Sequence, residues 1–280
     1  MIPAAFDYQR ASSIDDALAK LGACSGKLLA GGHSLLPLMK LRMSEPSVLI
    51  DIARIPGLAG IREVGGAIEI GAATTHADVA ASELLKQVCP VVSETAADIG
   101  DPQVRNRGTI GGSLAHADPA ADYPAVVLAL DADIQLRSSR GPRSVKAADF
   151  FEGMFTVDLA SDEMIVAVRF KPVKSAAYAK LHQRASHFAI VGVAAAVEIN
   201  GGKIASARVG VTGASTHASR LTSVEQALTG QAPTSDVIGK AAAAAAVDSL
   251  NADLHASEDY RRAMIPVFTR RALEAAIRRA

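Results

Sequence analysis

Two short stretches of this 280-residue chain have residue types and spacing able to hold an anion: Ala30-Gly31-Gly32-His33-Ser34, flanked by Leu29 and Leu35, and Thr109-Ile110-Gly111-Gly112-Ser113. Each follows a plausible strand and presents two glycines, then a hydroxyl. Adjacent glycines enter backbone conformations closed to other residues, and without a Cβ their N–H groups can approach an oxyanion closely. The first stretch also opens an apolar helical segment, Leu35, Leu36, Leu38, Met39 and Leu41, whose N-terminal N–H groups would face that anion. Two such stretches suit a dinucleotide's pyrophosphate, and a side chain at Gly32 or Gly111 would then block the phosphate while leaving the fold. Ordinary turns fit a double glycine equally well, and Gly65-Gly66 and Gly201-Gly202 read most simply as hairpin turns.

Other chemistries find less support. No two glycines are separated by one residue, so the G-x-G-x-x-G fingerprint cannot occur, and G-x-x-x-x-G-K-[ST] is absent. A cofactor here is therefore held in neither Rossmann nor P-loop fashion. Histidines 33, 76, 116, 182, 187, 217 and 255 are scattered without zinc-site spacing. Ser34, His116 and Asp122 combine into a hydrolytic triad only on paper, because no G-x-S-x-G elbow activates a serine. Cys24 and Cys89 are too few and too far apart for a disulfide framework or a locally ligated iron–sulfur cluster. Arg105 and Arg107 suit either phosphate neutralisation or a surface ion-pair cluster with Asp98 and Asp101.

Composition bounds the rest. With 49% hydrophobic residues the chain can bury a large core, and 29 basic against 29 acidic residues give no field that would attract nucleic acid. Aromatic residues make up 4% and tryptophan is absent, so stacking platforms for bases are scarce. The start carries Asp7 and Arg10 without an apolar stretch, and the run from Ala189 to Val197 is too short to span a bilayer. A cytoplasmic protein without an integral membrane segment is expected.

The elements that must position the two stretches read as follows. A helix over Asp15 to Leu21, a strand over Lys27 to Ala30, the helical segment after Ser34 and a strand over Val48 to Ile52 form a first subdomain, 1–55. In a second, 56–174, a hairpin spans Ile61–Val64 and Ala67–Ile70, and Thr75 caps a helix through Lys86. A helix over Val91 to Ile99 follows, then a polar binding loop from Asp101 to Gly108. After these come a helix over Pro124 to Leu130 and strands at Ile134–Arg137 and Glu163–Phe170. A third unit, 175–280, has strands at Tyr178–Leu181, Ala189–Ile199 and Lys203–Val211, then helices at Leu221–Leu228, Ser235–Leu250 and Glu258–Arg279.

Taken in order, Met1-Ile2-Pro3-Ala4-Ala5-Phe6-Asp7-Tyr8, Leu29 to Leu35, Ile70-Gly71-Ala72, Asp101 to Arg105, Gly108 to Ser113 and Asp118-Pro119-Ala120-Ala121-Asp122-Tyr123-Pro124 form a set. This set closely resembles the FAD-binding medium subunit of molybdenum hydroxylases, especially that of aerobic carbon monoxide dehydrogenase, and the flavin domain of xanthine dehydrogenase. The resemblance covers essentially the whole chain. It implies an α+β fold: a two-subdomain FAD-binding domain, vanillyl-alcohol-oxidase/MurB-like rather than Rossmann, then a three-stranded sheet with a helical bundle. It places the pyrophosphate on Ala30 to Ser34 and Thr109 to Ser113, with Leu29 and Leu35 alongside and Asp122 bonding the cofactor. Ile99 would pack near flavin or adenine, Ile165 and Lys180 would lie at the isoalloxazine edge, and Phe188 would cover one flavin face. Ser113 stands where the family usually has Asn, Phe188 where it often has Tyr, and His187 replaces a common acidic residue. No catalytic acid, nucleophile or metal ligand is implied on this chain.

The resemblance further implies partners: a large subunit carrying molybdopterin and a small subunit carrying two 2Fe–2S clusters, assembled as a dimer of heterotrimers. The chain would pass electrons from the clusters through FAD to an external acceptor. A stand-alone flavin oxidoreductase of related fold is the alternative, and a non-enzymatic nucleotide-binding module a third reading.

Overall fold

The computed structural model describes residues 2–24 and 26–280; Met1 of the N-terminal motif lies outside the described residues. The chain begins with β1 (Asp7–Arg10), α1 (Ile14–Ala23), β2 (Gly26–Leu29), α2 (Leu35–Lys40) and β3 (Val48–Asp51). Ser13 caps α1 by accepting from the Asp16 N–H. The three strands form a parallel sheet in the order β1-β3-β2. The sequence reading did not anticipate β1, because its residues Asp-Tyr-Gln-Arg are all exposed and give no apolar signal. The link from β2 to β3 is the β–loop–helix–β unit expected, with Gly31 to Ser34 at the C-terminal end of β2, the end of a parallel strand where ligands usually bind.

The middle of the chain continues with β4 (Ile61–Val64), β5 (Ala67–Gly71), α3 (His76–Ala81), α4 (Glu83–Val88), α5 (Pro90–Ala97), α6 (Pro102–Arg105), α7 (Ile110–His116) and α8 (Tyr123–Ala129). Next come β6 (Asp133–Ser138), β7 (Gly141–Lys146), α9 (Ala147–Phe150), β8 (Phe151–Gly153), β9 (Thr156–Val157) and β10 (Met164–Phe170). An antiparallel sheet, β4-β5-β10-β6-β7, buries Ile68, Ile70, Ile134, Leu136 and Val168 completely. The Gly65-Gly66 hairpin is as expected, with both glycines at positive φ. The helix expected from Thr75 to Lys86 is split, because Ser82 turns extended and caps a new helix through the Leu85 N–H. The stretch from Asp101 to Gly108 is not all loop: Asp101 caps the short helix α6.

The last part holds β11 (Ala176–His182), β12 (Ala189–Asn200), β13 (Lys203–Thr212), β14 (Ser219–Arg220), α10 (Thr222–Leu228), α11 (Ser235–Ala243) and α12 (Glu258–Ile277). Three long antiparallel strands carry the two-residue β14 at one edge. The alanine-rich helix ends at Ala243, well short of Leu250. From there the chain is drawn to Ser215, where Leu250 bridges and the Asn251 N–H donates to the Ala214 carbonyl at 2.9 Å. Tertiary pairing there outweighs alanine's helix propensity.

The apolar run in β12 is explained by burial on both faces. Ala194 and Ala196 face the core shared with the earlier sheets, whereas Val191, Val193, Ala195 and Val197 face α12 and its Ile265, Phe268, Ala272 and Leu273. Helix α8 lies so close on β13 that a Cβ at Gly210 would overlap the Ala125 carbonyl oxygen. The segment before α8 is tied to the same sheet: the Gly213 N–H donates to Pro119 at 2.7 Å, and the Thr212 hydroxyl reaches Pro119 and Ala121 at 2.9 and 2.7 Å.

Candidate functional site

The structure brings the two glycine stretches together and shows that they are built differently. The first leaves β2 after Leu29, whose carbonyl accepts from the Ile52 N–H at 2.9 Å. Gly31 lies directly on the backbone of Arg107, where a Cβ would overlap the Arg107 carbonyl oxygen. Gly32 takes φ +70, a left-handed value that glycine reaches without strain. The backbone N–H groups of Gly31, Gly32, His33, Ser34 and Leu35 meet no acceptor among the described residues. Ala30, Gly31, Gly32 and Leu35 are half-buried, and His33 and Ser34 are exposed. Unpaired N–H groups along such a bend are an oxyanion receptor.

The second stretch is not a loop after a strand. It follows α6, and Gly111-Gly112 sit inside α7, which Thr109 caps. Its N–H groups are already engaged: Ile110 donates to Thr74 at 3.1 Å, Gly111 to Ala72 at 2.9 Å and Ser113 to Thr109 at 3.0 Å. Gly112 donates to the Thr109 hydroxyl at 3.1 Å. A Cβ at Gly111 would come within 2.5 Å of the Ala72 Cβ, so this glycine admits a neighbouring backbone rather than a ligand. What faces outward is the exposed Gly112 and the half-buried Ser113.

His76 lies beneath this seam. Its N–H donates to the Gly108 carbonyl at 3.0 Å, and a Cβ at Gly108 would come within 2.5 Å of its Nε2. Burial lowers its pKa to about 4, and the charges of His33 and Arg105 push the same way. Arg105 itself donates from Nη1 to the carbonyls of Ile99 and Gly100 at 3.0 and 3.1 Å, closing the C-terminal end of α5 and fixing Ile99, which is half-buried. His76 stood out in the sequence only as one of seven scattered histidines; the signal available was its place directly after a strand and the cap Thr75.

Asp122 and Lys180 meet in a buried network that joins the segment before α8 to β11. Lys180 Nζ is 2.9 Å from Asp122 Oδ1, with side-chain exposures of 1% and 5%. The Tyr178 hydroxyl donates to the same Asp122 oxygen at 2.6 Å. Burial pushes the Asp122 carboxyl above its ordinary range despite the neighbouring ammonium, and burial together with Asp122 holds the Tyr178 phenol well above its own. Lys180 also donates to the Asp98 carbonyl at 2.9 Å, at the end of α5. Tyr178 and His182 were not read as site residues, and Asp98 was read only as an ion-pair partner for Arg105 and Arg107, because nothing local links positions so distant.

Ile165 is buried in β10, at a register shift against β6. The carbonyl of Val166 accepts from the Ala72 N–H at 3.0 Å, so this strand lies two hydrogen bonds from Gly111. Phe188 is half-buried with the C-terminal core and packs edge-on against His255, centroids 5.4 Å apart. The turn preceding it stays near the end of β11, since His187 meets His182 edge-on with ring centroids 5.8 Å apart.

The first stretch thus offers what a pyrophosphate requires, a row of free N–H donors with no side chain in the way. The comparisons with known proteins give the family. A family described as the FAD binding domain in molybdopterin dehydrogenase matches residues 4–173, and one described as the CO dehydrogenase flavoprotein C-terminal domain matches residues 176–276. The carbon monoxide dehydrogenase medium chain of Hydrogenophaga pseudoflava is 40% identical over 99% of this chain and 98% of its own length. The 6-hydroxypseudooxynicotine dehydrogenase complex subunit alpha of Paenarthrobacter nicotinovorans is 41% identical over 100% and 97%. Among solved structures, carbon monoxide dehydrogenase from H. pseudoflava lacking the Mo-pyranopterin moiety of its molybdenum cofactor superposes with TM-score 0.96 at 41% identity, covering 100% of both chains. The expected α+β architecture is the one observed, and the chain belongs to the family of FAD-binding medium subunits of molybdopterin-dependent dehydrogenases, oxidoreductase subunits whose own cofactor is FAD.

Proposed function

We propose that this chain is the electron-transfer subunit of a molybdenum hydroxylase, taking electrons from 2Fe–2S clusters of a small partner subunit and passing them to an external acceptor. The observation that carries the reading is the run of five N–H groups from Gly31 to Leu35 that meet no acceptor among the described residues, at the end of a parallel strand in a chain of this family. The pyrophosphate lies against Leu29 to Leu35. The second stretch contributes the Ser113 hydroxyl and the exposed face of Gly112, while Thr109 and Gly111 set its shape. Asp122 would help to hold the cofactor, Ile99 and Phe188 would pack against it, and Lys180 and the backbone at Ile165 would border the flavin edge. Bound FAD supplies a redox centre able to take electrons singly and release them in pairs. The protein's part is to hold it, shield it and set the charge around it.

The chain divides into a first FAD-binding subdomain, 1–55, a second, 56–174, and a C-terminal flavoprotein domain, 175–280. It assembles with a molybdopterin-binding large subunit and the 2Fe–2S small subunit as a dimer of heterotrimers. No helix among the described residues is long and apolar enough to cross a membrane, and the working location is the cytoplasm. Relatives of 40% and 41% identity are named for carbon monoxide and for 6-hydroxypseudooxynicotine, so a chain of this kind serves unlike substrates. The test is an absorption spectrum of the purified chain, followed by co-purification with the molybdenum and iron–sulfur subunits of its host. A flavin spectrum and a three-subunit complex are expected. Absence of flavin from both chain and complex would overturn the reading, and flavin reduction by a substrate with the chain alone would point to a stand-alone oxidoreductase.

A further inference from the structure

Electrons that arrive from iron–sulfur clusters bring no protons. A flavin that stores two of them takes up at least one proton, which has to come from solvent through the protein. Lys180 is the buried acid at the proposed flavin edge, with its side chain 1% exposed, so it cannot be reprotonated directly by water. One route outward is visible. Lys180 Nζ lies 3.6 Å from Asp98 Oδ2, and that carboxylate is 39% exposed. Both Asp98 oxygens lie 2.8 Å from His182 Nε2, and the His182 side chain is 41% exposed. The 3.6 Å step closes with a sub-ångström shift of the exposed carboxylate or with one bridging water.

We infer that His182 and Asp98 form a proton inlet to Lys180, with His182 as the solvent-side donor. The inference rests on the proposed reading that Lys180 borders the flavin. In the forward direction an Nζ–H bond of Lys180 breaks as its proton goes to the two-electron-reduced cofactor. The Asp98 carboxylate then carries the Nε2 proton of His182 to Nζ as water supplies a proton at the other ring nitrogen, and exchange of the exposed ring with solvent restores the Nε2–H tautomer. The balance is two electrons from the partner's clusters and one proton from solvent. Imidazole suits the outer position because its two ring nitrogens can pass a proton between solvent and the carboxylate.

The titratable and charged groups placed around His182 are consistent with this. They are Asp98 from the end of α5, His187 from the turn after β11 and Lys180 from its own strand; Asp122 and Tyr178 lie beyond the lysine. A purely structural clamp is the rival account: an interdomain ion pair would hold α5 to β11 whether or not its members titrate. That account predicts that any side chain able to keep the hydrogen bond will serve.

The test uses the full chain loaded with FAD and reduced by dithionite in a stopped-flow instrument, since this reductant delivers electrons without protons. FAD content and the far-ultraviolet circular dichroism of each variant are recorded first. His182→Ala should retain FAD, slow flavin bleaching at pH 7 by at least about tenfold and lose the wild-type pH dependence. Added imidazole should restore the rate. Asp98→Asn should be slowed alike and stay slow with imidazole. His182→Gln, which keeps a donor to Asp98 but cannot titrate, should behave as His182→Ala. Wild-type rates and pH profile in His182→Ala, or full rescue in His182→Gln, would overturn the inlet and leave the FAD reading intact. Absence of FAD from both the wild-type chain and its complex would overturn the reading on which the inlet rests.

Discussion

Gly31-Gly32 and Gly111-Gly112 look alike in the sequence, yet the protein uses them for opposite purposes. The first pair keeps its donors free: from Gly31 to Leu35 no N–H meets an acceptor among the described residues. The second pair spends its donors on the Ala72 carbonyl and the Thr109 hydroxyl, just after Ile110 donates to Thr74, and its glycine at 111 is required by the close approach of Ala72. On the proposed reading one stretch is the main receptor, and the other is chiefly a wall against which the receptor is fixed. The difference follows from what precedes each. A parallel strand ends before Gly31 and leaves a bend open to solvent, whereas Thr109 caps a helix that begins by consuming its own first N–H groups.

The seam between them gives the largest effect. A methyl at Gly31 would overlap the Arg107 carbonyl oxygen, and since both sides of the contact are backbone, neither can yield by rotating a side chain. Gly31→Ala should therefore separate the two stretches, lower stability by more than about 3 kcal/mol and abolish FAD retention. Urea unfolding and the flavin absorbance of the purified variant measure the two consequences. A variant with wild-type midpoint and bound FAD would show that the receptor does not depend on the wall.

Acid should weaken the same seam from beneath. Burial holds the imidazole of His76 down to about 4, from an ordinary value near 6.5. Between those pH values the unfolded chain binds a proton that the folded chain refuses, so stability is full above about pH 6.5 and falls as pH drops towards 4. A shift of this size corresponds to about 3 kcal/mol over the whole window. His76→Leu should show a flatter fall in urea midpoint across that range than the wild type. Parallel curves for the two proteins would remove His76 from the seam's energetics.

What the sequence allowed a reader to see divides along the same line. Both glycine stretches, Asp122 and Lys180 were legible because short motifs carry them. The hairpin at Gly65-Gly66 and the long strand from Ala189 were legible because turn chemistry and apolar runs are local. The exposed strand Asp7–Arg10 was not, since its pairing with β3 rests on the backbone ladder and one Tyr8–Asp51 side-chain hydrogen bond between residues 43 apart, which leaves no local trace. Gly111 was read as clearance for a phosphate, because a glycine's missing Cβ does not announce which neighbour occupies the space. The helix through Leu250 and the triad of Asp98, Lys180 and His182 fail for one reason: partners 35 to 84 residues apart leave no local trace.

The smallest effect is the most discriminating between wall and receptor. Thr109 is buried, and its hydroxyl accepts from the Gly112 N–H at 3.1 Å. Valine keeps the shape and removes the acceptor, so Thr109→Val should cost about 1 kcal/mol, the usual worth of a helix cap. It also sets the Gly112 N–H free. If the second stretch is only a wall, FAD affinity measured by titration of the apoprotein stays within about twofold of wild type, because the donors that matter lie at Gly31 to Leu35. A clear gain in affinity on freeing that single N–H would instead make Gly112 a second phosphate donor held in reserve by its own cap, and the two stretches would be alike after all.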